Sequence, residues 1–429
     1  GFKLSGGAIS EFSGFSVSSA GDINGDGFAD LIVGAPGVSL NGSGSGASYV
    51  VFGKASGFTA NLNLSTLTGS NGFRIVGTPA SDGQSIGYSV ASAGDFNGDG
   101  YDDLIIGAIG DDSRPQNSGA SYVLFGKAAG FGASFDLSTV NGANGFKVIG
   151  AGGWDMTGWS VASAGDVNND GYDDLIIGAP QHIAGLPGEG RSYVIYGHAG
   201  ALGTDQPPPS LAYLDASNGF KLSGTASNDY AGRSVASAGD INGDGFDDVI
   251  VGAWRADAGA ADSGASYVVF GKAGGFVSDI QLSALNGSDG FKLSGVAADD
   301  RSGYSVASAG DVNGDGYDDL LVGAALADPN GNSSGASYVV FGKASGFTAN
   351  FNLSTLNGSN GFKLSGGAAS DKSGFSVASA GDFNGDGFDD LIVGAPRAKV
   401  CSADGAASAY IVYGNASGFA ANLCLSTLT

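Results

Sequence analysis

The sequence predicts an all-β fold, a β-propeller of six four-stranded blades, and three observations carry that expectation. The pattern Asp-x-Asn-x-Asp-Gly-x-x-Asp occurs six times, beginning at Asp22, Asp95, Asp166, Asp240, Asp311 and Asp382, at offsets of 71 to 74 residues. Every complete unit carries four short strand-like pieces around that pattern. The two ends of the chain also complement each other, as described below.

The first piece, Gly14-Phe15-Ser16-Val17, returns as Gly87-Tyr88-Ser89-Val90 and Gly303-Tyr304-Ser305-Val306, and its small residues suit a crowded innermost strand. The acidic loop follows. The second piece runs from Asp30 to Ala35; its core Leu31-Ile32-Val33 is short, apolar and β-branched, as a strand buried on both faces should be. A variable loop leads to the third, Tyr49-Val50-Val51-Phe52-Gly53, repeated at Tyr122, Tyr193, Tyr267, Tyr338 and Tyr410. A segment from Leu62 to Leu67 precedes the fourth, Gly72-Phe73-Arg74-Ile75-Val76-Gly77, with relatives at Gly145, Gly219, Gly290 and Gly361.

Gly1-Phe2-Lys3-Leu4-Ser5-Gly6 reads as a fourth strand with no blade before it, and the last unit stops at Thr429 without one. The N-terminal strand is therefore expected to pair with the last blade and close the ring. Residues 1–429 are read as a single domain of six repeats of about 72 residues, with Pro207-Pro208-Pro209 as a loop insertion. Gly1 is expected to start a processed or trimmed chain.

The acidic loop sets the chemistry. Calcium takes six to eight oxygen ligands at flexible geometry, and alternate residues of a short loop can supply them if a glycine permits the reversal. In the first copy Asp22, Asn24 and Asp26 offer side-chain oxygens, Phe28 its backbone carbonyl and Asp30 a carboxylate. The same roles fall to Asp95, Asn97, Asp99, Tyr101 and Asp103, then to Asp166, Asn168, Asp170, Tyr172 and Asp174. The fourth set is Asp240, Asn242, Asp244, Phe246 and Asp248, and the fifth Asp311, Asn313, Asp315, Tyr317 and Asp319. Asp382, Asn384, Asp386, Phe388 and Asp390 complete the six, so about six Ca²⁺ are expected per chain. Acidic turns need no cation, because Asp, Asn and Gly favour turns anyway. A turn, however, needs no third carboxylate at a fixed offset six times over. An EF-hand is excluded, since its twelfth-position glutamate is Val33 here and a strand follows.

Formal charge is −24, and six divalent cations would leave about −12, a surface that repels nucleic acid and anionic membrane. No apolar run reaches the length of a membrane span. Loops of three carboxylates are expected to bind weakly, in the range where extracellular calcium saturates them, which argues for an extracellular or cell-surface location. Cys401 and Cys424 could form a disulfide worth roughly 3 kcal/mol or stand as a free pair.

The basic residues sort by repeat position. Lys3, Arg74, Lys147, Lys221, Lys292 and Lys363 fall on fourth strands, where charge would guard an outer edge. Lys54, Lys127, Lys272 and Lys343 follow third strands, and His198 takes that same position. The rest lie in or beside loops joining strands 2 to 3 or 4 to 1, on the face opposite the acidic loops. Trp154, Trp159, Trp254, Tyr230 and His182 lie in or near those loops, and Trp154, Tyr230, Arg233, Trp254, Arg255 and Arg301 are the candidate ligand-binding residues. The bland alternative is that Trp159 and Arg233 merely replace the first-strand aromatic and the others decorate tolerant loops.

Gly14-Phe15 and Gly34-Ala35-Pro36, bracketing Gly21-Asp22-Ile23-Asn24-Gly25-Asp26-Gly27, resemble the FG-GAP repeat, the unit of the integrin α-subunit propeller. The resemblance covers essentially the whole chain. It departs from the family in showing six units instead of the usual seven, with a seven-bladed relative as the alternative, and in the added segment near Leu62. Asn169 replaces the usual loop glycine, and Ala29 an aspartate at position eight, which is not read as a ligand. The resemblance implies an exported calcium-stabilised scaffold for adhesion or recognition of a protein or glycan. The alternative is a building block that self-assembles into a surface layer, filament or matrix. A lectin or a calcium-dependent phosphate-ester hydrolase is less favoured, and no nucleophile elbow, zinc motif or phosphate loop points to an enzyme.

Overall fold

The computed structural model describes residues 1–77, 83–112, 117–128, 130–181, 188–199, 210–398 and 407–428. The chain is a six-bladed β-propeller, and helix among the described residues is confined to three-residue 3₁₀ turns. By contact it divides into two compact units. One comprises Gly1–Ser163, Gly171–Ile183 and Tyr193–Lys221; the other comprises Ala164–Asp170, Ala184–Ser192 and Leu222–Thr429.

The fourth blade shows the plan. Its strands are Ser234–Gly239, Asp248–Ala253, Ala265–Val269 and Gly290–Ser294, each antiparallel to the one before. The first strand ends in a bulge between Ser237 and Gly239, where Gly239 takes φ +66°, a left-handed value that suits glycine, and turns the chain into the acidic loop. The second strand is buried along its whole length, which is why its sequence is a continuous apolar run.

The core lies between successive blades. Ile32, Val50, Phe73 and Ile75 of the first blade pack with Val90, Leu104, Ile106 and Tyr122 of the second; Ile250, Val268, Phe291 and Leu293 pack with Leu320, Val322 and Tyr338 in the same way.

The segment added before each fourth strand is a clasp on the preceding blade. Ser134–Asp136 runs parallel to the first blade's Gly72–Val76, and Asn350–Asn352 parallel to Gly290–Ser294. A 3₁₀ turn follows, and its leucine, Leu137 or Leu353, drops into the core between the two blades. Burying each such leucine contributes about 2 kcal/mol. Fourth strands are therefore covered, and the expectation that their lysines guard a free edge is corrected. Lys147 Nζ lies 2.7 Å from the buried Asp111 carboxylate and 5.1 Å from the Tyr122 ring centroid, and Lys363 reaches over Tyr338.

The N-terminal strand Lys3–Ser5 pairs parallel with Asn61–Asn63, in the register that other fourth strands make with their clasps. Hydrogen bonds between it and the last blade are not among the described pairings, and the sixth sheet consists of Ser376–Gly381, Asp390–Ala395 and Ser408–Val412. No helix of the described residues is long and apolar enough to cross a membrane.

Candidate cation loops and the opposite face

Each acidic loop is tied down by its own carboxylates. The Asp95 carboxylate accepts the backbone N–H groups of Asp99 and Gly100, each at 2.9 Å, and Asn97 Oδ1 accepts that of Asp99 at 2.8 Å. Asp240 and Asn242 do the same for Asp244 and Gly245. Asn169, standing where the other loops have glycine, takes φ +56°.

The ninth-position aspartates are the deep ends of the loops. Asp30, Asp103, Asp174, Asp248, Asp319 and Asp390 are fully buried. One oxygen of each accepts the N–H of the glycine after the third strand, as Gly126 gives to Asp103 at 2.8 Å and Gly271 to Asp248 at 2.8 Å. Burial, and then the charges of Asp99 and Asp95, push the Asp103 carboxyl up to about 8 against the Gly126 hydrogen bond. Asp248 and Asp319 are raised to about 8 and Asp30 to about 7, again first by burial. Asp103 Oδ2 is buried with no hydrogen-bond partner.

Among the described residues no three acidic side chains converge on one point, because the first-position aspartates turn to loop N–H groups. The donor set nevertheless fits a hard divalent cation. It is all oxygen and it includes a fully buried carboxylate, which burial raises to about 8 at Asp103, Asp248 and Asp319; at Asp103 one oxygen is buried without a hydrogen-bond partner. When bound, a cation supplies the positive charge that lets the buried carboxylate ionise. The residues that would hold it are those at positions one, three, five and nine, with the carbonyl at seven.

On the opposite face, the second unit brings five of the six candidate ligand residues together. Trp254 follows Ala253, the last residue of the strand that begins at Asp248, so loop and cluster stand at opposite ends of that strand. The guanidinium carbons of Arg301 and Arg255 lie 4.7 and 5.4 Å from the Trp254 ring centroid, and Arg255 lies 5.9 Å from that of Tyr230. Tyr304 meets Trp254 edge-on at 5.6 Å, and Arg233 stacks on Tyr304 at 4.7 Å. Arg233 thus does fill the first-strand aromatic position, as the bland reading has it, and joins the cluster through Tyr304. Trp154 belongs to the first unit and is half exposed. His182 and Cys401 lie outside the described residues. Cys424 is a free thiol with Sγ 3.1 Å from Ser426 Oγ.

The loops that carry this cluster share a backbone that the sequence did not announce. Five of the 4-to-1 connections hold two non-glycine residues at left-handed φ around one acidic residue, and the one before Ile86 keeps only the second, Ser85. The pairs are Ser10 and Phe12, Trp154 and Met156, Asn228 and Tyr230, Asp299 and Arg301, and Ser370 and Lys372. Between them Glu11, Asp155, Asp229, Asp300 and Asp371 accept hydrogen bonds from their own loops, for example Ala297 N–H to Asp300 at 3.0 Å and Gly152 N–H to Asp155 at 2.6 Å. Glu11, Asp155, Asp229, Asp300 and Asp371 recur at one repeat position, which was the available signal.

The FG-GAP repeat model matches residues 13–51, 86–124, 157–195, 231–269, 302–340 and 373–413, more than half of the chain. The chain belongs to the FG-GAP repeat family. It is 30% identical over 248 residues to integrin alpha pat-2 of Caenorhabditis briggsae, covering 56% of this chain and 18% of that protein. It is 31% identical over 250 residues to integrin alpha-5 of Xenopus laevis and 29% identical over 250 residues to integrin alpha-V of Gallus gallus, each covering 57% of this chain and 20% of the relative. The aligned part is about a fifth of the length of these curated relatives.

Proposed function

We propose that this FG-GAP propeller is an exported, calcium-stabilised recognition scaffold that engages a protein ligand through the face opposite the cation loops. The observation that carries the reading is the set of 4-to-1 loops. Five of them share one strained backbone, yet the second left-handed residue is Phe12, Met156, Tyr230, Arg301 or Lys372; the remaining loop keeps only Ser85 of that pair. Left-handed non-glycine residues cost of order 1 kcal/mol each, and such strain gathers at functional sites. A constant frame presenting different side chains suits recognition of one asymmetric partner better than a lectin's equivalent sugar pockets. Rigid aromatics with stacked arginines, as around Trp254, are typical anchors of protein interfaces.

The cation loops support the scaffold from the other end, and the similarity to integrin alpha chains supports both the extracellular setting and a protein partner. The reading is non-enzymatic, because the abundant aspartates have structural roles in their loops and His198 occupies a scaffold position beside Phe96.

Adhesion of cells and of arrayed extracellular proteins to the immobilised chain tests this. Binding should fall about tenfold or more in Trp254→Ala and Arg301→Ala with an unchanged unfolding midpoint. Equal binding by wild type and both variants would refute the assignment of this face.

A further inference from the structure

The cation reading uses positions one, three, five, seven and nine of each loop and leaves position eight without a task. It is Asp102, Asp173, Asp247, Asp318 and Asp389 in the last five loops and Ala29 in the first. A fourth carboxylate in an already acidic loop adds repulsion unless something uses it. In the structure all five reach to the loop before their own. Each accepts the backbone N–H of the first residue of the preceding loop: Asp102 from Asp22 at 2.6 Å, Asp173 from Asp95 at 2.8 Å, Asp247 from Asp166 at 2.9 Å, Asp318 from Asp240 at 2.9 Å and Asp389 from Asp311 at 3.0 Å.

The bond is returned in three of the pairs, where the N–H of Asp247, Asp318 and Asp389 donates to the carbonyl of Asp166, Asp240 and Asp311 at 3.3, 3.4 and 3.2 Å. Both backbone groups of a first-position residue are then held by one residue of the next blade. The fit allows nothing larger, since a Cβ on Gly21, Gly94, Gly165, Gly239 or Gly310 would collide with the facing carboxylate. The position-seven ring closes the joint. Tyr101, Tyr172, Tyr317 and Phe388 cover Gly25, Gly98, Gly243 and Gly314 of the preceding loop so closely that a Cβ there would strike the ring.

We infer that the position-eight aspartates are positioning residues that fix the first cation ligand of the preceding loop and so couple cation occupancy from blade to blade. A cation in one loop orders its positions seven to nine; position eight then holds residue one of the neighbour in place for a second cation. Such coupling is reciprocal. The inference rests on the cation reading of the loops.

Calcium titration of the whole chain followed by amide hydrogen exchange, read separately in peptides spanning 240–248 and 311–319, tests it. In wild type both loops gain protection with calcium. Asp318→Asn shifts the midpoint of the 240–248 loop to roughly tenfold higher calcium and leaves the 311–319 loop within about twofold, the size expected for one charge-assisted hydrogen bond. Asp311→Ala, which removes the first ligand of the later loop, also weakens the 240–248 loop, and in the double variant the two effects on that loop do not add. Unchanged 240–248 binding in Asp318→Asn, a shift of its own loop instead, or additive effects would overturn the inference while leaving the cation reading intact. No calcium response in any wild-type loop would overturn both. Should Asp318→Asn fail to fold, Asp247→Asn read at the 166–174 loop gives the same comparison.

Discussion

Replacing Asp103 by asparagine should have opposite effects with and without cation. The Asp103 carboxyl accepts the Gly126 N–H through Oδ1, while its Oδ2 is buried without a partner. Asparagine keeps the acceptor and removes the charge at almost constant volume. In the ion-free protein burial raises this carboxyl from 3.8 to about 8. The folded state therefore binds a proton that the unfolded state releases near 4. The resulting penalty is absent below about pH 4, grows as pH rises, and is complete above about pH 8; at ~1.4 kcal/mol per pKa unit it is on the order of 5 kcal/mol at most for this carboxyl. Asp103→Asn removes that penalty.

Urea unfolding at pH 8 in EDTA should thus show the variant more stable than wild type, with the gain shrinking towards pH 5. In saturating calcium the order should reverse, because the loop has lost its buried anionic ligand. A variant less stable than wild type in EDTA at pH 8, or equally stable in calcium, would refute the argument.

Lys147→Ala leaves Asp111 buried without its 2.7 Å partner and should cost on the order of 3 kcal/mol in urea unfolding, with part recovered in Lys147→Ala/Asp111→Asn. Gly243→Ala places a methyl against the Tyr317 ring at φ +71° and should lower the melting temperature, while Tyr317→Ala in the same chain should restore part of the loss by removing the clash but not the backbone strain.

The blades and acidic loops were legible because their signals are local. A continuous apolar run such as Leu104-Ile105-Ile106 fixes a doubly buried strand, and three carboxylates at fixed offsets survive in every repeat. What the sequence hid depends on the neighbouring blade. Asn350–Asn352 is only three residues long and pairs parallel with the previous unit's outer strand, so nothing in its own pattern marks it as a clasp. For the same reason Lys147 and Lys363 read as guards of an exposed edge, although each reaches over a buried tyrosine. Position eight was set aside because Ala29 breaks its pattern and because its partner lies in the preceding unit, 78 residues from Asp318 at Asp240. On the ligand face, the aromatic and arginine residue types pointed to Trp254 and Arg301, whereas the shared left-handed frame beneath them came only with the backbone.

In the proposed scaffold, bound cations organise the repeats. Metal analysis of the purified chain, read beside thermal unfolding with and without EDTA, tests it most directly. Close to six calcium ions per chain and a large fall in melting temperature on chelation are expected, since a site held at one hundred times its Kd contributes about 2.7 kcal/mol. A chain free of calcium whose melting temperature ignores EDTA would contradict it.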